Sequence, residues 1–307
     1  MKLEILAAES LGVRGLCCRV EAGKRVIVID PGLALGELRY GLPPHPLQVA
    51  LGRVARQHII QALEGATDVV FSHFHGDHIP LREANPYQLA FTQLTQRFGS
   101  LRAWSLNPDG QSHKSQARAR DLMELLGPHF RVAEGLEDGP LQFSCAVPHG
   151  VGGLPFGNVM LTRIDLGGRI FVHASDIQLL DAATISFILD WNPQCMLAAG
   201  PPLYLSGLHA RERERAWRNA LRLAANVGTL ILDHHLMRSS YGEDWLEKLS
   251  LESGRKVYCA ADFMGRPRQL LEAKRRELYA DFPVRAGWHE DYARRLARIE
   301  DFGPGSH

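Results

Sequence analysis

Asp68-Val69-Val70-Phe71-Ser72-His73-Phe74-His75-Gly76-Asp77-His78 is the stretch that decides how this chain is read. Asp68 to Phe71 is a short apolar strand signal. It runs straight into four metal-competent side chains within six positions: His73, His75, Asp77 and His78. In an extended segment, residues two apart point the same way, so His73 and His75 can share one cation. Gly76 lets the chain turn tightly, and Asp77 and His78 can then face a second cation a few ångströms away. Imidazole suits Zn, Fe, Ni and Cu, and carboxylate offsets their charge. The plain alternative is a chance histidine cluster on a solvated loop. With 14 histidines in 307 residues, such a local density argues against it.

One cation needs about three protein ligands and an open position, and a pair needs more. Three later strand ends offer them. His149 follows the apolar run Phe143 to Val147 in a Pro-His-Gly turn, Asp176 follows Ile170 to His173, and His234-His235 follows Thr229 to Asp233. Each taken singly reads equally well as a polar turn residue. Together with the hexapeptide they favour a site at the carboxyl ends of strands, where open α/β folds gather ligands. Neighbours on a strand face opposite ways, so one of His234 and His235 is expected as a ligand, and which one stays open. Asp233 could orient an imidazole, although a helix cap or loop salt bridge is the plainer role.

Around this segment the chain opens with strand-like runs at Leu3 to Ala7, Leu16 to Val20 and Arg25 to Ile29. Leu47 to Leu63 has helical periodicity. Strands are then expected at Arg102 to Ser105, Leu141 to Val147, Asn158 to Asp165, Arg169 to His173, Cys195 to Ala199, Thr229 to Asp233 and Lys256 to Cys259. Helices are expected over Ser112 to Leu126, Leu179 to Trp191, Ala210 to Val227, Gly242 to Ser250, Arg268 to Tyr279 and Glu290 to Ile299. No linker composition and no internal repeat divides the chain. The expectation is one domain over residues 1–302, mixed sheets with helices outside, and a disordered tail at 303–307.

Composition sets the remaining bounds. Hydrophobic residues make up 45% and charged residues 22%, which excludes disorder, collagen and coiled coil as the main state. A formal charge of +1 gives no support to nucleic-acid binding. Cys17, Cys18, Cys145, Cys195 and Cys259 form no CxxC pair and read as free thiols in a reducing compartment. The N-terminus carries no secretory pattern and no run of about 20 apolar residues occurs, so the cytoplasm is expected, with no membrane partner.

The order HxHxDH, a single His, an Asp and a final His resembles the metallo-β-lactamase-fold superfamily. The likeness extends from the opening strands to His235. Asp30-Pro31-Gly32 resembles that family's early strand end beneath the metal site. Within the superfamily, Phe171-Val-His-Ala-Ser-Asp176, Gly200-Pro-Pro-Leu-Tyr204 and Asp233-His-His235 are similar to a small uncharacterised prokaryotic group. The resemblance implies an α/β (α+β) fold, a four-layer αββα sandwich of two mixed β-sheets with outer helices. It implies a first metal on His73, His75 and His149. A second metal would sit on Asp77, His78 and one of His234 and His235, with Asp176 bridging. Two divalent ions per chain are implied, zinc first, with iron or manganese also suited. The implied chemistry is hydrolysis of an ester, lactone, amide or phosphodiester by a metal-bridging hydroxide, with Asp77 and Asp176 as the catalytic carboxylates. The expected partner is a small-molecule or nucleotide-type substrate.

Two other classes compete. A mononuclear iron dioxygenase acting on persulfides shares the histidine string, and a non-catalytic metal-binding protein could use the same fold. Several residues carry weaker signals. His173 reads equally as a support to the site or a core-facing polar group. Tyr204 reads as a turn tyrosine before a substrate donor. His209, with Arg211, Arg213 and Arg215, reads as a solvated helix face before a phosphate site. Gly150 to Gly153 lacks the lysine of a phosphate loop.

Overall fold

The computed structural model describes residues 2–150 and 157–299. The expected 303–307 tail and most of the Gly150 to Gly153 loop lie outside the described residues. The first sheet holds β1 (Lys2–Ala7), β2 (Cys17–Ala22), β3 (Arg25–Ile29), β4 (Asp68–Phe71), β5 (Arg102–Ser105) and β6 (Phe130–Val132), side by side in chain order. β1 to β3 pair antiparallel and β3 to β6 parallel. The second sheet holds β7 (Glu137–Asp138), β8 (Leu141–Pro148), β9 (Asn158–Asp165), β10 (Ile170–His173), β11 (Cys195–Ala198) and β12 (Thr229–Leu232), again in order. β7 to β10 pair antiparallel, and β10 to β12 parallel.

Parallel neighbours need crossovers, and helices supply most of them. α1 (Pro46–Glu64) links β3 to β4, α2 (His113–Leu126) links β5 to β6, α3 (Ala182–Asp190) links β10 to β11, and α4 (Ala210–Asn226) links β11 to β12. The side chains of β11 show why four layers result. Cys195 and Leu197 belong to the core between the sheets, where they join Phe71, Ile29 and Phe171. Met196 and Ala198 point the other way, into a second core with Ile188 of α3 and Leu223 of α4. Both faces are buried, so the strand reads as a continuous apolar run. The architecture is the expected sandwich of two mixed sheets with outer helices.

Some expected elements end elsewhere. The α3 helix begins at Ala182 rather than Leu179, because Asp181 caps it by accepting the Thr184 N–H at 2.8 Å. After β12 come α5 (His234–Met237) and α6 (Gly242–Ser253). Lys256 to Cys259 is not a strand. Tyr258 makes one bridge to Ile231, and Cys259 already caps α7 (Ala260–Phe263). Of Arg268 to Tyr279, only Arg275 onward is helical, in α8 (Arg275–Asp281). Arg268 is instead held by Asp262 and Glu243, which breaks the helical spacing. The last helix, α9, covers Trp288–Ala293 and not Glu290 to Ile299. No helix among the described residues is long and apolar enough to cross a membrane.

Candidate metal centre

β3, β4, β8, β10 and β12 all deliver their carboxyl ends to one edge of the sandwich. Each candidate residue sits just past one of those ends. Leaving β4, Ser72 donates its N–H to Asp30 Oδ1 at 2.8 Å and its hydroxyl to Oδ2 at 2.6 Å. The chain then extends through His73 and His75 and turns at Gly76, where the N–H of His78 meets the His75 carbonyl at 3.0 Å. That turn swings His78 back beneath His73, with ring centroids 4.2 Å apart. Asp30 Oδ2 holds His78 Nδ1 at 3.0 Å, which aims Nε2 into the site. Gly32 permits this contact. A Cβ there would come within 2.2 Å of the His78 and Ile79 backbone.

The second sheet closes the site from the other side. His149 follows β8, and the Gln178 amide lies 3.2 Å from its Nδ1. Asp176 follows β10, preceded by Ser175, whose φ is 51°. The Ser175 hydroxyl lies 2.6 Å from that of Ser72 and ties the two sheets together under the site. His234 and His235 are not the end of a strand. They form the first turn of α5, and their rings stack with centroids 4.7 Å apart instead of pointing to opposite faces. Both therefore reach Asp176.

Asp176 is the hub. Its Oδ2 lies 3.2 Å from His149 Nε2, 3.4 Å from His235 Nε2, 3.6 Å from His73 Nε2 and 3.7 Å from His234 Nε2. Its Oδ1 lies 3.1 Å from His78 Nε2. His234 Nε2 is also 3.5 Å from Asp77 Oδ2 and 3.5 Å from His78 Nε2. A tetrahedral cation about 2.1 Å from each ligand spaces its ligand atoms roughly 3.4 Å apart. Donor atoms within 4.8 Å of one another form the sets His73, His75, His149, Asp176 and Asp77, His78, His234. A further set, Asp176, His234 and His235, overlaps both. Asp30, His73 and His78 also cluster, but Asp30 is already engaged by Ser72 and His78 Nδ1.

Not all of these groups are satisfied as hydrogen-bonding partners. Buried His73 Nε2 has no hydrogen-bond partner among the described residues. Burial, then the neighbouring His78 and His75, holds the His73 imidazole well below its usual range, so its lone pair is available. Burial likewise brings His75 and His235 down to about 4. Burial opposes the charge on Asp176, but His78, His234 and His235 outweigh it and keep the carboxylate ionised. Burial also disfavours the His78 cation, yet Asp176 and Asp30 raise its pKa well above normal. A buried carboxylate ringed by imidazoles, three of them held below their usual range, fits a cation well.

The same edge carries residues that the spacing gave no reason to select. Arg238, one turn after His234, places Nη2 3.2 Å from His234 Nδ1 and 3.1 Å from Nε2. A nitrogen nearly equidistant from both lies over the ring face, because an in-plane position would overlap Cε1. The Nε2 lone pair is thus left to the site. Arg238 also donates to Glu9 Oε1 at 2.8 Å and to the Tyr204 hydroxyl at 3.2 Å. Ser72, Ser175 and Gln178 flank predicted ligands, and that adjacency was their only sequence signal. Glu9 and Arg238 are 229 residues apart and left none.

The weaker candidates resolve plainly. His173 donates Nε2–H to the Leu16 carbonyl at 2.9 Å and is a core-facing polar group. Asp233 accepts from the Ser10 N–H at 3.0 Å and the Ala260 N–H at 2.8 Å, tying the chain's start to α7 instead of orienting an imidazole. His209 caps α4 and is exposed. The Tyr204 hydroxyl accepts from Arg238 at 3.2 Å.

No family model matches the chain. Among solved structures, an isothiocyanate hydrolase from Delia radicum gut bacteria superimposes with a TM-score of 0.51 at 14% identity, covering 84% of this chain and 96% of its own. A metal-dependent hydrolase of the beta-lactamase superfamily gives 0.51 at 13%, covering 84% and 94%. At such identities they establish the metallo-β-lactamase fold alone. A UPF0282 protein of Methanosarcina mazei is 46% identical over 302 residues, 98% of this chain and 99% of the relative. Another, from Methanopyrus kandleri, is 34% identical over 91% of this chain and 99% of the relative. On these alignments, nearly end to end, the chain belongs to the UPF0282 protein family.

Proposed function

We propose that the chain is a metal-dependent hydrolase with two divalent ions, zinc first. His73, His75 and His149 would hold one ion, Asp77, His78 and His234 the other, and Asp176 both. The observation that carries this reading is the convergence of five imidazole nitrogens on the Asp176 carboxylate at 3.1 to 3.7 Å. Between the two histidines left open by the sequence, His234 is preferred, because its Nε2 alone is also 3.5 Å from Asp77 and from His78. His235 then donates to Asp176 and orients it. The reading treats residues 1–302 as one domain built around this edge.

When bound, such a pair supplies a water-derived nucleophile near neutral pH and positive charge for a developing oxyanion. The chain's own residues prepare the site. Asp30, Ser72 and Gln178 fix the outer nitrogens of His78, His73 and His149, so each Nε2 faces inward. Asp77 and Asp176 offset the cations. Only His75 and Asp77 among the proposed ligands are partly exposed, so substrate approaches from their side. A small cleft beside His73 and His75 is lined by Gln111, Ser112, Ser115 and Asn158. These neutral hydrogen-bonding groups suit a small ester, lactone, amide or phosphodiester.

The test is elemental analysis of protein purified without chelator, beside a hydrolysis panel of those four substrate classes. About two metals per chain and turnover of one class are expected. Less than one metal with no uptake on reconstitution overturns the reading. Iron-loaded, oxygen-consuming protein without hydrolysis does the same in favour of a dioxygenase.

A further inference from the structure

Arg238 closes α5 and is 6% exposed. Its guanidinium is charged at any working pH, and a charge that deep needs partners. Nε donates to Glu9 Oε1 at 2.8 Å, and Nη1 donates to the Tyr204 hydroxyl at 3.2 Å. Glu272 lies 4.0 Å from Nε, but its oxygens are taken by Arg14, which donates through Nε at 2.6 Å and also through Nη2. Arg275 stands 3.9 Å from Glu272 as well. Even with both carboxylates ionised, this cluster sets three guanidinium groups, Arg14, Arg238 and Arg275, against two carboxylates, Glu9 and Glu272.

The surplus positive charge is turned toward the metal centre. Arg238 Nη2 lies over the His234 ring, 3.1 Å from Nε2, and 3.9 Å from Asp77 Oδ2. One nitrogen thus faces two of the three residues of the Asp77, His78, His234 set. Glu9 stands on the other side of the guanidinium, with Oε1 3.8 Å from His234 Nδ1. The Glu9–Arg238 pair therefore presents its positive end to Asp77. Asp176, by contrast, is paired with imidazoles alone among the described residues. The two donor sets thus differ in charge: the one with its own carboxylate also has a cation beside it. Charges this deep are screened little by salt.

We propose that Arg238 is a positioning residue that acts by its charge: it offsets the Asp77 carboxylate, holds down the affinity of the Asp77, His78, His234 set for its divalent ion, and so keeps that ion exchangeable. The inference rests on the two-ion reading. It gives the Glu9–Arg238 pair a role beyond tying α5 to the start of the chain, and that role is separable from packing, because lysine keeps the charge without the fork.

Competition for zinc between the full chain and a chelator of known affinity tests it, with thermal melting of each variant beside it. R238M removes the charge and should tighten the ion of the Asp77 set by about tenfold or more, leaving the other ion within about threefold. R238Q, which keeps a donor for Glu9, should shift the affinity in the same direction and serves if R238M fails to fold. R238K should stay near the wild-type value. A merely structural Arg238 gives the opposite pattern, with R238M, R238Q and R238K all weakening one or both ions. An affinity that is unchanged or lowered in the folded neutral variants overturns the proposal, and so does R238K behaving like R238M. Uptake of fewer than two ions by the wild type would overturn the two-ion reading and this inference with it, whereas two ions with no tightening in R238M or R238Q overturns the inference alone.

Discussion

Two buried carboxylates stand at opposite edges of the sandwich, and they are built differently. Asp68 opens β4. It accepts from Arg25, from Arg102 at 3.0 Å, from the Trp104 indole at 2.9 Å and from the Thr67 hydroxyl at 2.6 Å. Asp176, beyond the other end, meets imidazoles. Guanidinium and indole N–H groups can only donate, so the Asp68 cluster is complete as it stands. Imidazole offers either a proton or a lone pair, so the Asp176 cluster is completed by a proton or a cation. Equal burial thus serves stability at one end and the proposed cations at the other.

The sharpest way to break that contrast is to delete each carboxylate. Asp176→Ala should remove the one group proposed to hold both ions. Both metals should be lost and hydrolysis should fall by at least about 10³-fold, while thermal melting shifts little or even upward without metal present. Retention of two metals in Asp176→Ala would end the proposed assignment. Asp68→Ala should do the reverse. It leaves Arg25 with Asp138 alone and the buried Trp104 indole without its acceptor, at a cost of about 1–3 kcal/mol, with metal content per folded chain unchanged. Denaturant melts beside elemental analysis read both quantities.

Acid should separate the same two ends. Burial opposes ionisation of Asp68, but hydrogen bonds from Arg25, Thr67 and Trp104 prevail and lower its pKa. Its folded pKa lies below the unfolded value of about 3.9. The contribution is therefore fully present above that value and is lost as pH falls through the folded pKa. Wild type should lose stability over that acid range, and Asp68→Ala should lose less there. Parallel acid limbs in the two proteins would show that the cluster carries no such linkage.

Within the metal centre the contrast narrows to the two donor sets. Removing His149 leaves its set with two imidazoles, and that ion should bind far more weakly. Asp77→Ala should empty mainly the other set and leave a mononuclear protein. Both should lose most hydrolysis, since both ions serve the nucleophile. Both should stay folded, because these side chains lie past strand ends and not in the core. Loss of both metals from Asp77→Ala would show that the sets are not separate.

What could be read beforehand follows the same division. His73 to His78 is contiguous, so period-two geometry placed it correctly on the end of β4. Strands such as Asp68 to Phe71, Asn158 to Asp165 and Arg102 to Ser105 announce themselves in the sequence and match to the residue. His149 and Asp176 were legible only as strand-end polar groups, made meaningful by the hexapeptide. The His234-His235 ambiguity arose from extending β12 one residue too far. Asp233 leaves the strand to tie Ser10 and α7, a tertiary contact with no local signal. The same holds for Arg14 with Glu272 and Arg238 with Glu9, ion pairs spanning most of the chain. The β6 strand and β7 were invisible because three and two residues carry no periodicity.

The smallest effect concerns a residue that touches no proposed metal. Gln178 is 5% exposed. Its N–H donates to the His149 carbonyl at 3.1 Å, and its side-chain amide lies 3.2 Å from His149 Nδ1. The backbone contact survives Gln178→Ala, so the loop should keep its course. The side-chain contact does not, and it is the one that holds which way the ring points. Supporting contacts of this type are worth about 10–100-fold in metal affinity. Gln178→Ala should therefore weaken the ion of the His73, His75, His149 set by that factor and leave the Asp77, His78, His234 set unchanged. Competition with a chelator resolves the two affinities, and Gln178→Asn, with a shorter reach to Nδ1, should recover little of the loss. A uniform fall in both affinities would mean that Gln178 acts through Asp176, two residues away, and that the two sets share one frame.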